Sequence, residues 1–222
     1  MSTLDYMSDV VKIDVWSDVA CPWCYIGKRK LEAAIESFES AGGKVNVEYH
    51  SYLLNPEMPE DFEGGQRDYL AKHKGLDLGL VDNMSLRIKG IAESLGLHYD
   101  FDNQIMTNTV LAHQLIHFAK TRGLQAEMKE RLLKAHFVEA LHVGKLDTLV
   151  ELATQVGLNP DEVRQALTEG EFATAVQEDI DQARAYGITG VPFFVIQNKY
   201  GISGAQDSAV LLSAMQQANS EN

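Results

Sequence analysis

Apolar and polar positions alternate roughly along Val10–Trp16 (VVKIDVW), and β-branched residues dominate, which predicts a strand. From Pro22 the period changes. Ile26, Leu31, Ala34, Ile35 and Phe38 form an apolar stripe with Lys28, Arg29, Lys30 and Glu32 between them, so a helix is expected, stopped by Ser40–Gly43 (SAGG). Alternation returns over Val45–Leu54 (VNVEYHSYLL), a second strand. The acidic, Pro/Gly-rich run Asn55–Gly65 (NPEMPEDFEGG) then breaks the pattern and marks a boundary. The spacing beyond it predicts helices at Gln66–Lys74, Asp82–Leu95, Thr107–Arg122, Leu124–Leu141, Asp147–Val156, Pro160–Thr168 and Glu171–Tyr186. Glycines at 75, 96, 123, 144, 157 and 170 separate or end them. Asn159-Pro160 supplies a cap and a first-turn proline, and Asp161 and Glu162 suit the positive end of that helix. Strand character resumes at Phe193–Gln197, followed by a turn at Asn198–Gly201 (NKYG), a short strand in ISGAQ, and a terminal helix Asp207–Ala218 capped by Asp207 or Ser208.

The order is therefore β-α-β, a long helical block, then β-β-α. Neither flank covers both faces of its own strands. One mixed sheet built from both flanks resolves this, with the helices inserted between them. The expected fold class is α/β, a thioredoxin-like mixed sheet interrupted by a large α-helical insertion. Residues 10–60 and 187–220 make the discontinuous sheet domain, and residues 61–186 the insertion.

With 222 residues, 45% of them hydrophobic, the chain can bury a sizeable core without a disulfide or a metal. Nineteen Lys+Arg against 32 Asp+Glu give a net charge of -13, which repels phosphate backbones and anionic lipid and argues against nucleic-acid or membrane partners. No apolar stretch approaches a membrane span. Asp5 and Asp9 stand where a secretory leader would be apolar, so the expectation is a cytoplasmic protein. Thiols stay reduced there, which gives the chain's two cysteines, Cys21 and Cys24, a chemical rather than a structural interest.

They sit in S-D-V-A-C-P-W-C-Y-I-G, at the turn from the first strand into the first helix. A bridge across so short a loop removes little unfolded-chain entropy, so a structural staple is a weak reading. Zinc needs about four ligands. No second cysteine pair exists, and His113 and His117 (HQLIH) lack the glutamate of the metalloprotease pattern, so no metal is expected. The helix start favours redox chemistry. Cys21 caps the helix beginning at Pro22, where the amides of residues 23–25 lack intrahelical acceptors and carry the positive end of the dipole. That setting favours a thiolate at Cys21. Cys24, one turn deeper and expected to be more buried, can resolve a mixed disulfide formed by Cys21. Pro22 keeps the first turn rigid, and Trp23 forms part of the rim. Val191-Pro192 precedes an apolar strand, where a proline is tolerated at the first residue.

C-P-W-C-Y-I-G, followed by G-V-P-F-F and S-G-A-Q in that order, closely resembles the DsbA-like thioredoxin-fold oxidoreductases, specifically the FrnE-like branch. The likeness extends through LLKAHFVEALHVGKLDTLVELATQVGL and covers about Val11 to Leu212. It implies that Cys21 attacks, that Cys24 resolves, and that Val191-Pro192 is the cis-proline loop whose Val191 backbone pairs with substrate. Related folds include kappa-class glutathione transferases and hydroxychromene-carboxylate isomerases, which typically carry Ser at the first cysteine. Their glutathione site corresponds to Ser203, Gly204, Ala205, Gln206 and Asp207 here; a turn followed by a helix cap explains that loop equally well. Asn108, with Thr109 and His113, resembles positions facing the site, although capping and packing account for these types too. Relatives are often dimers, so a homodimer is one arrangement to test.

The function expected is thiol-disulfide exchange on a protein or small-molecule partner, with no tightly bound cofactor and with glutathione as a candidate substrate or reductant. No Gly-rich dinucleotide fingerprint follows a strand. One alternative is glutathione-dependent isomerisation or transfer at Cys21. Another is a chaperone-like peptide-binding module with incidental thiols.

Overall fold

The computed structural model describes residues 10–221. Asp5 and Asp9, on which the leader reading rests, lie outside them. Strands β1 (Val11–Ser17), β2 (Val45–Ser51), β3 (Phe193–Ile196) and β4 (Tyr200–Ser203) form one sheet in the order β2-β1-β3-β4. β1 and β2 are parallel, Val15 opposite Tyr49, while β1–β3 and β3–β4 are antiparallel. The expected mixed sheet from both flanks is therefore present. Helix α1 (Pro22–Ser40) connects β1 to β2, α9 (Ser208–Ser220) follows β4, and the chain between β2 and β3 carries α2 (Gln66–Lys74), α3 (Leu78–Glu93), α4 (Val110–Lys120), α5 (Gln125–Phe137), α6 (Leu146–Gln155), α7 (Pro160–Glu169) and α8 (Ala173–Ala185). No described helix is long and apolar enough to cross a membrane.

The period-two pattern of the strands sorts side chains onto two faces. Ile13 and Val15 of β1, with Phe194 and Ile196 of β3, pack under Leu31, Ala34 and Phe38 of α1 and Leu211 and Met215 of α9. Trp16 and Val195 point the other way, onto Ala183 of α8 and Ile188. The insertion has its own core, in which α4 to α7 bury Leu115, Met128, Leu132, Leu149 and Val163. Three expected helix bounds move by three residues or more. α3 begins at Leu78 rather than Asp82, because the Asp77 carboxylate accepts from the Gly79 and Leu80 amides and caps it. α5 ends at Phe137 rather than Leu141, with Ala140 in a left-handed conformation at φ 51°. α4 starts at Val110 rather than Thr107, since Thr107 and Asn108 direct their side chains to the backbone of residues 56–60.

The second face of the sheet also buries charge. His50 of β2 lies between two carboxylates, with Nε2 2.8 Å from Asp14 and Nδ1 2.7 Å from Asp179 of α8. Asp179 also accepts from the Ser51 amide and faces His117 of α4 at 2.9 Å. His50 stacks on Trp16, ring centroids 4.5 Å apart. Burial pushes the His50 imidazolium toward neutrality, but Asp14 and Asp179 outweigh it and raise its pKa to about 9. A raised histidine stabilises fully below its unfolded value of 6.5 and loses that contribution as pH rises through about 9. Removing one partner of a buried charge pair costs about 3 kcal/mol or more. His50→Gln should therefore lower the unfolding free energy by about that amount at pH 6 and by clearly less at pH 9.5. Urea unfolding at both pH values checks this; a gap that does not change with pH contradicts it.

Candidate active site

β1 delivers the chain to the site. Beyond Ser17 it turns over Asp18, whose carbonyl accepts the Cys21 amide at 3.2 Å. Cys21 is the N-cap of α1, with extended backbone angles, and Pro22 stands at the first helical position. The Cys24 amide returns to the Cys21 carbonyl at 3.0 Å. Both thiols are free, and both residues are buried, at 4% and 3% exposure. Cys24 is thus no deeper than Cys21, because the 191–192 loop covers Cys21. What differs is the company each keeps: Cys21 donates its thiol hydrogen to the Val191 carbonyl at 3.4 Å, whereas Cys24 feels the buried Ser17 and Lys129.

The Val191-Pro192 peptide is cis. The Pro192 carbonyl accepts the Gly204 amide at 2.8 Å, which joins the loop to the end of β4. Gly27, on the first turns of α1, makes this approach fit. A Cβ added there would lie 2.8 Å from Pro192 Cγ and 3.4 Å from the Phe194 ring. Tyr99 donates to the Pro22 carbonyl at 2.8 Å and so fixes the start of α1 from the insertion side. Pro22, Trp23 and Val191 are half-buried around the sulfurs, and Trp23 packs partly on the Tyr25, Tyr99 and Phe137 cluster.

Beneath the pair lies Asp18, buried and held well below the usual carboxylate range, at about 2. Burial alone would raise it. Against that, it accepts from the Ala20 and Leu54 amides, the Thr109 hydroxyl at 2.9 Å, and His113 at 3.3 Å. Lys129 of α5, 1% exposed, donates to the Ser17 carbonyl at 3.3 Å. Burial draws its pKa down to about 8, opposed by the charges of Cys24, Asp18 and Cys21.

The two sulfurs titrate as one unit. The Cys21 thiol is pushed well up, first by its hydrogen bond with Cys24 and then by burial and the Cys24 charge. At Cys24 burial pushes up as well, but the Cys21 hydrogen bond, the Lys129 ammonium and Ser17 prevail and the net direction is down. The Cys21 side chain makes no capping hydrogen bond to the helix amides and points at the Val191 carbonyl instead.

The remaining expected positions lie in two places. Ser203, Gly204, Ala205, Gln206 and Asp207 form the loop next to Pro192, and its groups bond largely to each other and to α1. Gln206 donates to the Ser203 carbonyl, while Lys30 donates to the Ala205 carbonyl and pairs with Asp207 at 2.8 Å. Asn108 spends its side chain on backbone groups. It donates to the Pro56 and Met58 carbonyls and accepts from the Val110 amide, and it lines a cleft of about 240 Å³ with Glu60, Leu111 and Gly144. His113 and His117 serve different partners, Asp18 and Asp179, and do not converge on one point. The pattern reading missed Asp18, Gly27, Tyr99 and Lys129. Lys129 did leave a signal, since it falls on the face of α5 that carries the buried Met128, Leu132 and Leu133.

A family model for the DSBA-like thioredoxin domain matches residues 12–216, and the chain belongs to that family. Its structure is similar to that of a "probable DsbA oxidoreductase" from Streptomyces coelicolor, at 33% identity and a TM-score of 0.89, over 96% of this chain and 91% of that one. Two more distant structures share the fold. The cytosolic disulfide reductase DsbM of Pseudomonas aeruginosa is 18% identical, with a TM-score of 0.61 over 95% of this chain and 96% of its own. A 2-hydroxychromene-2-carboxylate isomerase is 15% identical, with a TM-score of 0.73 over 95% and 97%.

The tight Gly27–Pro192 contact yields a prediction. Gly27→Ala must displace the 191–192 loop, and overpacking of this kind costs about 1–3 kcal/mol. The variant should unfold at lower denaturant and alkylate faster at Cys21, because the Val191 carbonyl moves off the thiol. Unchanged stability together with an unchanged alkylation rate contradicts this reading.

Proposed function

We propose that the protein is a thiol-disulfide oxidoreductase in which Cys21 attacks and Cys24 resolves. One observation carries the reading: two free, buried cysteines stand three residues apart at a helix start, and the first donates to the Val191 carbonyl beside the cis Val191-Pro192 peptide. Cys21 caps the helix and lies against the half-buried Val191, while Cys24 stands inside its first turn.

The reaction follows from that geometry. The first proton to leave the pair goes to solvent, which leaves a Cys21 thiolate beside the Cys24 thiol. This attacks a partner disulfide, so a Cys21–sulfur bond forms and one partner sulfur leaves as thiolate. Cys24 then surrenders its proton to the departing thiolate and attacks Cys21, forming the Cys21–Cys24 bond and releasing the second partner sulfur. The protein loses two electrons and the partner gains them. The reverse sequence reduces the protein. No redox group besides the two sulfurs is required. The partner is a disulfide- or thiol-bearing protein or small molecule, which Val191 and Pro192 would receive at the rim made with Pro22 and Trp23. Glutathione is the proposed small-molecule thiol. DsbM has also been solved with glutathione, and it supports this choice through a shared fold alone.

The test is equilibration in graded glutathione buffers, acid quenching, alkylation and intact mass. The expected result is a reversible two-electron loss with a single midpoint and both thiols protected together. A protein that stays dithiol throughout, or that accumulates a stable glutathione adduct on Cys21, overturns the proposal; the adduct would point to glutathione-dependent transfer or isomerisation instead.

A further inference from the structure

We propose that the exposed stripe of α3 is a self-association surface, on which a second copy of this chain packs its own α3 antiparallel about a two-fold axis. This face takes no part in the thiol chemistry, so the pairing stands whether or not the cysteines exchange disulfides.

α3 is anchored on two sides and open on a third. Val81, Ile88 and Ala92 are its buried positions. Arg67 of α2 holds Asp82 at 2.7 and 3.0 Å. Along the remaining side run Asp77, Leu80, Met84, Arg87 and Ile91, spaced alternately three and four residues apart. That is the spacing of a helix–helix seam, with an average period of about 3.5 residues. Leu80 is 48% exposed and Met84 40%, so the middle of the seam is apolar and faces water. Ile91 is half-buried and packs on the core that also carries Trp23, so the seam ends on the support of the cysteine rim. Leu78 and Leu86 are exposed as well, on the flank next to Asp82 and outside the seam.

Charge selects the occupant. The seam carries an acid at its amino end and a base toward its carboxyl end, Asp77 and Arg87, both exposed. Asp77 spends Oδ1 on the Gly79 and Leu80 amides, and Oδ2 is left for a partner. Asp77 with Arg87, and Leu80 with Met84, are both centred on position 82. A two-fold axis at that level therefore sets Asp77 against Arg87 of the partner subunit and Leu80 against Met84 of the partner subunit, each twice. The apolar side chains meet in the middle and an ion pair closes each end. A parallel pairing would set like charge on like. An unfolded peptide gains nothing from this symmetry, whereas a second copy satisfies all of it. α3 has 16 residues and is about 24 Å long. One helix pair of that size stays below the ~1,200 Å² at which standard interfaces begin, so the dimer is weak and reversible.

Sedimentation velocity of the full chain tests this from about 1 µM to about 1 mM, with a reductant present so that no intermolecular disulfide contributes. The expected result is a reversible monomer–dimer equilibrium. Met84→Glu should weaken it about tenfold or more, because it buries an unpaired carboxylate against Leu80 of the partner subunit. Arg87→Glu should weaken it too, by setting acid on acid. Asp77→Asn keeps the cap acceptor and gives the decisive sign: it should weaken the wild-type dimer and strengthen that of the Arg87→Glu protein. All three positions are exposed, and circular dichroism checks that each variant is folded. A chain that stays monomeric over the whole range overturns the proposal. A dimer that Met84→Glu leaves intact lies on another face and overturns it. An Asp77→Asn effect of the same sign in both backgrounds means that the two charges do not meet, and overturns it as well. A monomer that instead binds an unfolded, alkylated peptide, and loses it with Met84→Glu, gives the stripe to a peptide partner and rules out the second copy.

Discussion

The site is organised around one buried charge. Asp18 is 1% exposed, and an ionised carboxylate there is tolerable only with its lone pairs filled. The donors come from three segments: Ala20 on its own turn, Leu54 beyond β2, and Thr109 and His113 at the start of α4. Satisfying Asp18 thus pins the sheet to the insertion beneath the cysteines. Its carbonyl holds the Cys21 amide as well, so the residue that joins the two parts of the chain also places the first thiol.

The rest of the site hangs on that anchor through close contacts rather than strong ones. Gly27 lets Pro192 approach α1, and the Gly204 amide ties Pro192 to β4. Tyr99 fixes the carbonyl of Pro22 from the opposite side. Across the sheet, the His50, Asp14 and Asp179 charges hold α8 against β1 and β2, which leaves the sulfur side free for a partner. These contacts keep both thiols buried at the start of α1.

Much of this was legible in the sequence where the information is local. The alternation in VVKIDVW gave β1 within a residue, the stripe from Ile26 to Phe38 gave α1, and C-P-W-C at the strand-to-helix turn gave the thiol pair. Helix ends were less legible. Asp77 caps α3 ahead of an apolar run that is interrupted by Gly79, and the chain turns left-handed at Ala140 without a glycine to announce it. The electrostatics were least legible, because they depend on partners far along the chain. Thr109 meets Asp18 across 91 residues and Lys129 meets Ser17 across 112.

The central claim is a division of labour between the two sulfurs, and chemical trapping tests it most directly. Cys24→Ser and Cys21→Ser proteins are exposed to a model peptide disulfide, quenched in acid and mapped by peptide mass. The account predicts a long-lived mixed disulfide on Cys21 in the Cys24→Ser protein, and much slower capture when Cys24 is the sole thiol. Equal capture by both variants, or faster capture by Cys24, would contradict it.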